Sequence, residues 1–117
     1  MTREVRGAET VLSCHVDAAA RALDAAAGSS SLCSLSRAGI AIPGIKYPEG
    51  AWAALRDVKR ATGGQGDVAV AAAQVRQRWA ADLALHQERS SGSDWVSYLT
   101  GGVDAIDGLL VEITPGF

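Results

Sequence analysis

"SGSDWVSYLTGGVDAIDGLL", residues 91–110, is the stretch of sequence that decides the fold. Its apolar side chains recur three and four residues apart and predict one stripe of an amphipathic helix: Val96, Leu99, Val103, Ile106 and Leu110. Gly101 and Gly102 interrupt the stripe, although one glycine costs a helix interior about 1 kcal/mol relative to alanine. The pair predicts either a break into two short helices or a neighbouring backbone that approaches closely. We favour close packing, with the alanine-rich first and third helices as the expected neighbours.

Three further helices are predicted upstream of this stretch. The first covers 5–26, the second covers 48–62 and the third covers 67–89. Pro48 suits the first position of the second helix, where its missing N–H would have no partner in any case. Asp67 is a preferred N-cap residue and marks the start of the third helix.

The stretch 29–47 joins the first two helices and lacks a helical period. So long a connection inside a compact domain is unusual, which indicates either a function or packing over the helices. Short strands at 39–45 and at 110–114 are also compatible with the sequence. Ser91 or Ser93 is the expected N-cap of the last helix.

The composition fits a small helical bundle. A chain of 117 residues suffices for one domain, here 1–117. Apolar residues make up 48% of it, but with only one Phe, two Tyr and three Trp the core must consist mainly of Ala, Val and Leu. We therefore expect an all-α fold of about four helices, antiparallel where their connections are short.

Charge and hydropathy exclude several classes of function. Eleven Lys and Arg stand against thirteen Asp and Glu, a net charge of −2 with the signs interspersed, whereas nucleic acids and anionic membranes attract concentrated positive charge. The N-terminus carries acidic side chains where a signal peptide needs an uninterrupted apolar core, and no run reaches the roughly 18 apolar residues of a membrane span. We expect a chain that is cytoplasmic as made and binds neither nucleic acid nor membranes.

No pattern of residues predicts a catalytic, cofactor or metal site. Cys14 and His15 are adjacent on a helix, so their side chains diverge by about 100° and cannot easily clasp one ion. Cys33 and His86 would have to arrive from two other segments. A Gly-x-Ser-x-Gly elbow is absent, and the glycine-rich break at 63–66 lacks the lysine of a phosphate-binding loop. Free thiols are expected rather than a bridge between Cys14 and Cys33.

Two tryptophans are the strongest candidates for contact residues. Trp79 lies on the inward stripe of the third helix, which favours a core anchor. Trp95 lies one position before the apolar stripe of the last helix, and an edge tryptophan beside small residues is typical of a protein interface. The predicted interface combines both tryptophans with the stripe and the glycine pair: Trp79, Trp95, Leu99, Gly101, Gly102, Val103 and Ile106.

Residues 71–110, "AAAQVRQRWAADLALHQERSSGSDWVSYLTGGVDAIDGLL", resemble the C-terminal half of the WxG-type and related small helical substrates of actinobacterial type VII secretion systems. The resemblance rests on an "RWxxDL" pattern, here Arg78, Trp79, Asp82 and Leu83. The export signal of that family is a tyrosine followed four residues later by an acid. The matching positions here are Val103 and Asp107, so the acid is present and the tyrosine is not. Ala54 likewise stands where the family has the glycine of its Trp-x-Gly turn.

The resemblance implies a non-enzymatic helical protein that pairs with itself or with a related chain, and the residue pattern alone leads to the same class. Our leading hypothesis is an interaction or assembly protein, expected to be a homo-oligomer without a cofactor. A type VII secretion substrate and a phage particle component are equally suitable roles for it. The alternative is a small enzyme or ligand-binding protein with a pocket under 29–47 that uses Cys33, His15 or His86. A DNA-binding regulator is a third hypothesis, which the charge disfavours.

Overall fold

The computed structural model describes residues 2–27, 44–63, 66–89 and 92–114, with side chains in the first range from Gly7 onward. These residues form four helices and no strand: α1 (Thr2–Ala27), α2 (Lys46–Thr62), α3 (Val68–Glu88) and α4 (Ser93–Ile113). The predicted all-α fold of four helices is therefore confirmed over the described ranges. Each helix in these ranges is too short or too polar to cross a lipid bilayer.

The helix ends follow most of the predicted signals. Asp67 caps α3, since its side chain accepts a hydrogen bond from the backbone N–H of Val70 at 3.2 Å. A left-handed glycine, Gly63 with a φ of 58°, ends α2. The N-cap of α4 is Gly92, which offers no side-chain bond, and Ser93 is already the first helical residue. The expected cap by Ser93 is therefore wrong, and Ser91 lies outside the described residues.

The start of α2 differs from the prediction by two residues. Gly44 adopts a φ of 77° in the preceding turn, and the helix begins at Lys46. Pro48 consequently sits inside the first turn rather than at its first position. A proline is tolerated there because the first four backbone N–H groups of a helix have no partner within it.

Both short strands are unsupported. α4 continues through 110–113 as helix, and Thr114 N–H donates to the carbonyl of Leu110 at 3.0 Å. The β-branched residues at this end are overruled by packing, because Leu109 is fully buried and Ile113 lies against the core. Of 39–45, only Gly44 and Ile45 are described, and they form the turn and the N-cap before α2.

The glycine pair lies in an unbroken helix, so a break at this point is excluded and close packing is confirmed. Gly101 faces the backbone of α2, which was not among the expected neighbours, whereas Gly102 faces Trp79 of α3, which was. A Cβ atom added to Gly101 would stand 2.1 Å from the carbonyl oxygen of Tyr47. A Cβ added to Gly102 would stand 2.3 Å from the ring of Trp79 and 3.0 Å from Cβ of Ala54.

The contact between α2 and α4 is reciprocal. A Cβ added to Gly50 of α2 would stand 1.8 Å from the carbonyl oxygen of Tyr98 in α4, which mirrors the contact of Gly101 with Tyr47. Each helix thus contributes a tyrosine followed three residues later by a glycine, and each tyrosine carbonyl lies over the glycine of the other helix. We call this contact the Tyr–Gly crossing. The glycine hydrogen that takes the place of Cβ points at the carbonyl, as in the Cα–H···O contacts of closely packed helices.

The core surrounds the crossing. α2 and α4 share the most extensive contact of any described helix pair. Their buried side chains, with those of α3, are mainly Ala, Val and Leu, as the composition predicts. Arg76 pairs with Asp107 and His86 stacks on Trp95, so α3 and α4, joined by a short connection, run antiparallel as expected. α1 packs mainly on α2 and contributes Leu12 to the core.

Gly101→Ala and Gly50→Ala are expected to destabilise the fold although alanine is the better helix former. The facing atoms are backbone carbonyls that cannot rotate away, so the helices must move apart, at a cost of about 1–3 kcal/mol each. Urea denaturation measures this as a lower midpoint with an unchanged slope.

Gly108→Ala is the matched control in the same helix. An added Cβ at Gly108 meets nothing within 4 Å, so this change should stabilise the protein by up to about 1 kcal/mol through helix propensity alone. Equal effects of the substitutions at 101 and 108 would contradict a close crossing.

Candidate functional site

An open groove lies between the N-terminal turns of α2 and α4. Its volume is about 500 Å³, and we call it the aromatic groove after the rings among its lining residues: Lys46, Glu49, Trp52, Ala53, Asp94, Trp95 and Tyr98. Tyr98 belongs both to this lining and to the Tyr–Gly crossing. The crossing therefore fixes the distance between the two walls of the groove.

A row of aromatic rings in mutual contact connects the core with the groove. Trp79 and Tyr98 stack with ring centroids 5.3 Å apart, and Tyr98 meets Trp95 at 5.9 Å with the ring planes at 82°. His86 of α3 stacks on Trp95 at 5.8 Å and nearly parallel. Trp79 is 9% exposed whereas Trp95 is 57% exposed. The exposed indole of Trp95 is thus contacted by His86 and by Tyr98.

The inner end of this row is anchored by a hydrogen bond. The indole N–H of Trp79 donates to Oδ2 of Asp57 at 3.0 Å, and the other oxygen of Asp57 accepts from Arg60 at 3.3 Å. A buried indole N–H without a partner costs free energy, and this bond removes that cost for Trp79. Trp79 is the core anchor that its place in the sequence predicts.

Charged groups border the rings of the groove. Nζ of Lys46 forms an ion pair with Oε1 of Glu49 at 3.0 Å. Asp94 lies in the first turn of α4, where the helix dipole favours a carboxylate. The guanidinium of Arg56 lies over the ring of Trp52, 4.8 Å from its centroid. One ring of the groove therefore already makes a cation–π contact within the chain.

The residues of the predicted interface separate into two groups. Trp95 is largely exposed and lines the groove. The others are buried between the helices of this chain: Trp79, Leu99, Gly101, Gly102, Val103 and Ile106. In this conformation Trp95 is thus the member of the set whose side chain a partner can reach.

Asp107, the acid that matches the export signal, is engaged in an ion pair between helices. Both of its oxygens accept from Arg76: Nε reaches Oδ1, and Nη2 reaches Oδ2 at 3.2 Å. The pKa of Arg76 is raised, first by this hydrogen bonding and then by the charge of Asp107. Val103, at the position of the missing tyrosine, is buried.

The two histidines belong to α1 and α3, and they contact opposite ends of α4. Nε2 of His15 lies 2.9 Å from Oε1 of Glu112, whereas His86 stacks on Trp95. At a rise of about 1.5 Å per residue, Trp95 and Glu112 are about 25 Å apart along the helix. The two histidines therefore cannot share one site.

The described part of the chain contains no cluster of side chains for binding a metal ion. No three His, Cys, Asp or Glu side chains there form a set that could hold a metal ion. Cys14 is an exposed free thiol. Cys33 lies outside the described residues, and with it the disfavoured bridge to Cys14.

Comparison of the chain with family models, with curated proteins and with solved structures gives no match.

The pKa values of both tyrosines are raised above the ordinary 10.0. For Tyr47 the first cause is the hydrogen bond that its hydroxyl donates to Oδ2 of Asp104 at 2.5 Å, followed by burial and by the charge of Asp104. For Tyr98 burial comes first, followed by the charges of Glu49 and Asp57. Because the folded state holds these protons more tightly than the unfolded state, the free energy of unfolding must fall as pH rises above 10.0.

Tyrosinate absorbance should accordingly appear at higher pH in the native protein than in denaturant. Asp104→Ala removes the main cause at Tyr47 and should lower the pKa of that tyrosine toward 10.0 while the pKa of Tyr98 stays raised. Tyr47→Phe identifies which of the two phases is which. A titration curve that Asp104→Ala leaves unchanged would rule out the bond between Tyr47 and Asp104.

Proposed function

We propose that this chain is a non-enzymatic helical interaction protein that associates, with itself or with a related chain, through the surface around Trp95. One observation carries the proposal. The indole of Trp95 is 57% exposed although tryptophan is a large aromatic side chain, and it lines a groove together with Trp52. Tryptophan is enriched at the centres of protein interfaces, where a few such residues supply most of the binding free energy.

The stacking around Trp95 supports the same proposal. His86 and Tyr98 contact its ring and restrict its rotamers before any partner binds. An anchor that is already ordered loses little conformational entropy on association. A stable interface buries about 800 Å² per partner, so contacts beyond the groove are expected to contribute.

A ligand-binding protein is the second candidate, and the volume of the groove favours it. About 500 Å³ falls within the range of roughly 300–1,000 Å³ that small-molecule sites occupy. Lys46 belongs both to the stretch 29–47 and to the lining of the groove, and His86 supports one wall. His15 contacts the other end of α4, through Glu112, and takes no part in this ligand site.

The native mass in solution tests self-association. Light scattering over a concentration series should show self-association, and Trp95→Ala should weaken it by at least about tenfold, as for an interface hot spot. Val111→Ala is the matched control, because Val111 is 77% exposed and lies at the far end of α4. A monomer at every concentration would contradict self-association and leave pairing with a related chain and the ligand-binding candidate.

Two more specific roles are proposed. The resemblance to type VII substrates favours export, and the class of small helical assembly proteins also suits a component of a phage particle. If export applies, Asp107→Asn should abolish appearance of the protein in the medium of an actinobacterial host, because Asp107 supplies the acid of the signal. Asp104→Asn removes a neighbouring acid of α4 and should leave export intact. Equal secretion of both variants would contradict the export role.

A further inference from the structure

We propose that the aromatic groove receives the guanidinium group of an arginine side chain from the partner protein. This inference rests on the proposed interaction function and names the chemistry of the group that enters the groove. It is carried by the arrangement of the rings, by the charges of the lining and by the contact between Arg56 and Trp52.

The rings of the groove form walls that meet at a corner. The planes of Trp95 and Tyr98 stand at 82° to each other with centroids 5.9 Å apart, and Trp52 of α2 lines the same groove. Aromatic rings that surround a cavity on several sides bind organic cations, because the negative faces of the π systems attract positive charge. The stacking of His86 on Trp95 and of Trp79 on Tyr98 holds two of these walls before a ligand arrives.

The charges of the lining favour a cation over an anion. The lining contains one cation, Lys46, and two carboxylates, Glu49 and Asp94. A second cation, Arg56, lies beside this lining, over the ring of Trp52. Lys46 and Glu49 satisfy each other at 3.0 Å. Asp94 forms no ion pair with any described residue and is exposed at the edge of the groove. A cation that stacks on the rings can therefore pair with Asp94, whereas an anion would be repelled by it.

A guanidinium suits this site better than an ammonium. Arg56 lies over Trp52 at 4.8 Å, which demonstrates that a ring of this groove accepts a guanidinium in the folded chain. The planar guanidinium stacks on aromatic faces, is weakly hydrated and presents a fork of N–H donors to a carboxylate. One group can thus contact a ring and Asp94 at the same time.

The test uses two blocked tripeptides as probes, acetyl-Gly-Arg-Gly-amide and its citrulline counterpart. Citrulline keeps the shape of arginine and loses its charge. Binding is followed by NMR through the three indole N–H signals of the full chain, assigned with Trp→Phe variants. The arginine peptide should shift the signals of Trp52 and Trp95 and leave buried Trp79 unmoved. The citrulline peptide should bind at least about threefold more weakly.

Variants separate the groove from general attraction to the acidic protein. Asp94→Asn should raise the dissociation constant of the arginine peptide about two- to fivefold. Asp17→Asn removes an exposed acid of α1 and should leave it unchanged. Equal binding of both peptides, equal losses in both variants, or unmoved Trp52 and Trp95 signals would each overturn the inference.

Failure of this inference is distinguishable from failure of the proposed function. Association that depends on Trp95, together with an arginine peptide that shifts no indole signal, keeps the interaction function and overturns the guanidinium site. Binding of the arginine peptide by a chain that stays monomeric supports the guanidinium site and contradicts self-association.

Discussion

The close approach of α2 and α4 at the Tyr–Gly crossing is the contact on which the rest of the structure depends. Gly50 and Gly101 each weaken a helix by about 1 kcal/mol relative to alanine, yet they allow two backbones to meet where most helix pairs keep side chains between them. The gain is dense packing and burial of Ala, Val and Leu side chains around the contact. A chain with few large apolar residues obtains its core in this way.

The same contact links the core to the surface. Tyr98 offers its carbonyl to Gly50 and its ring to both Trp79 and Trp95. A shift of α4 against α2 would consequently displace the stacked row and alter the walls of the aromatic groove together. The exposed end of the row is therefore supported by the packing beneath it, which suits a surface that binds without first being ordered.

The sequence predicted the helices well because their signals are local: apolar spacing, the Asp67 cap and the glycine breaks all act within a few residues. It did not identify α2 as the neighbour of Gly101, since Gly50 resembles an ordinary residue of a helix start. The repeated Tyr-x-x-Gly of α2 and α4 was the available signal. The groove was missed because Trp52 and Trp95 are distant in sequence and line one groove only because α2 and α4 cross.

The nature of the facing atoms decides which substitutions a second change can rescue. Gly102 faces the ring of Trp79, so a smaller residue at 79 could make room for a side chain at 102. Gly50 and Gly101 face carbonyl oxygens, which every amino acid carries. No replacement of Tyr98 or Tyr47 can remove them, and intragenic suppressors should arise for changes at 102 but not at 50 or 101. Covariation among related chains would consequently couple 102 with 79 and leave the two crossing glycines without partners.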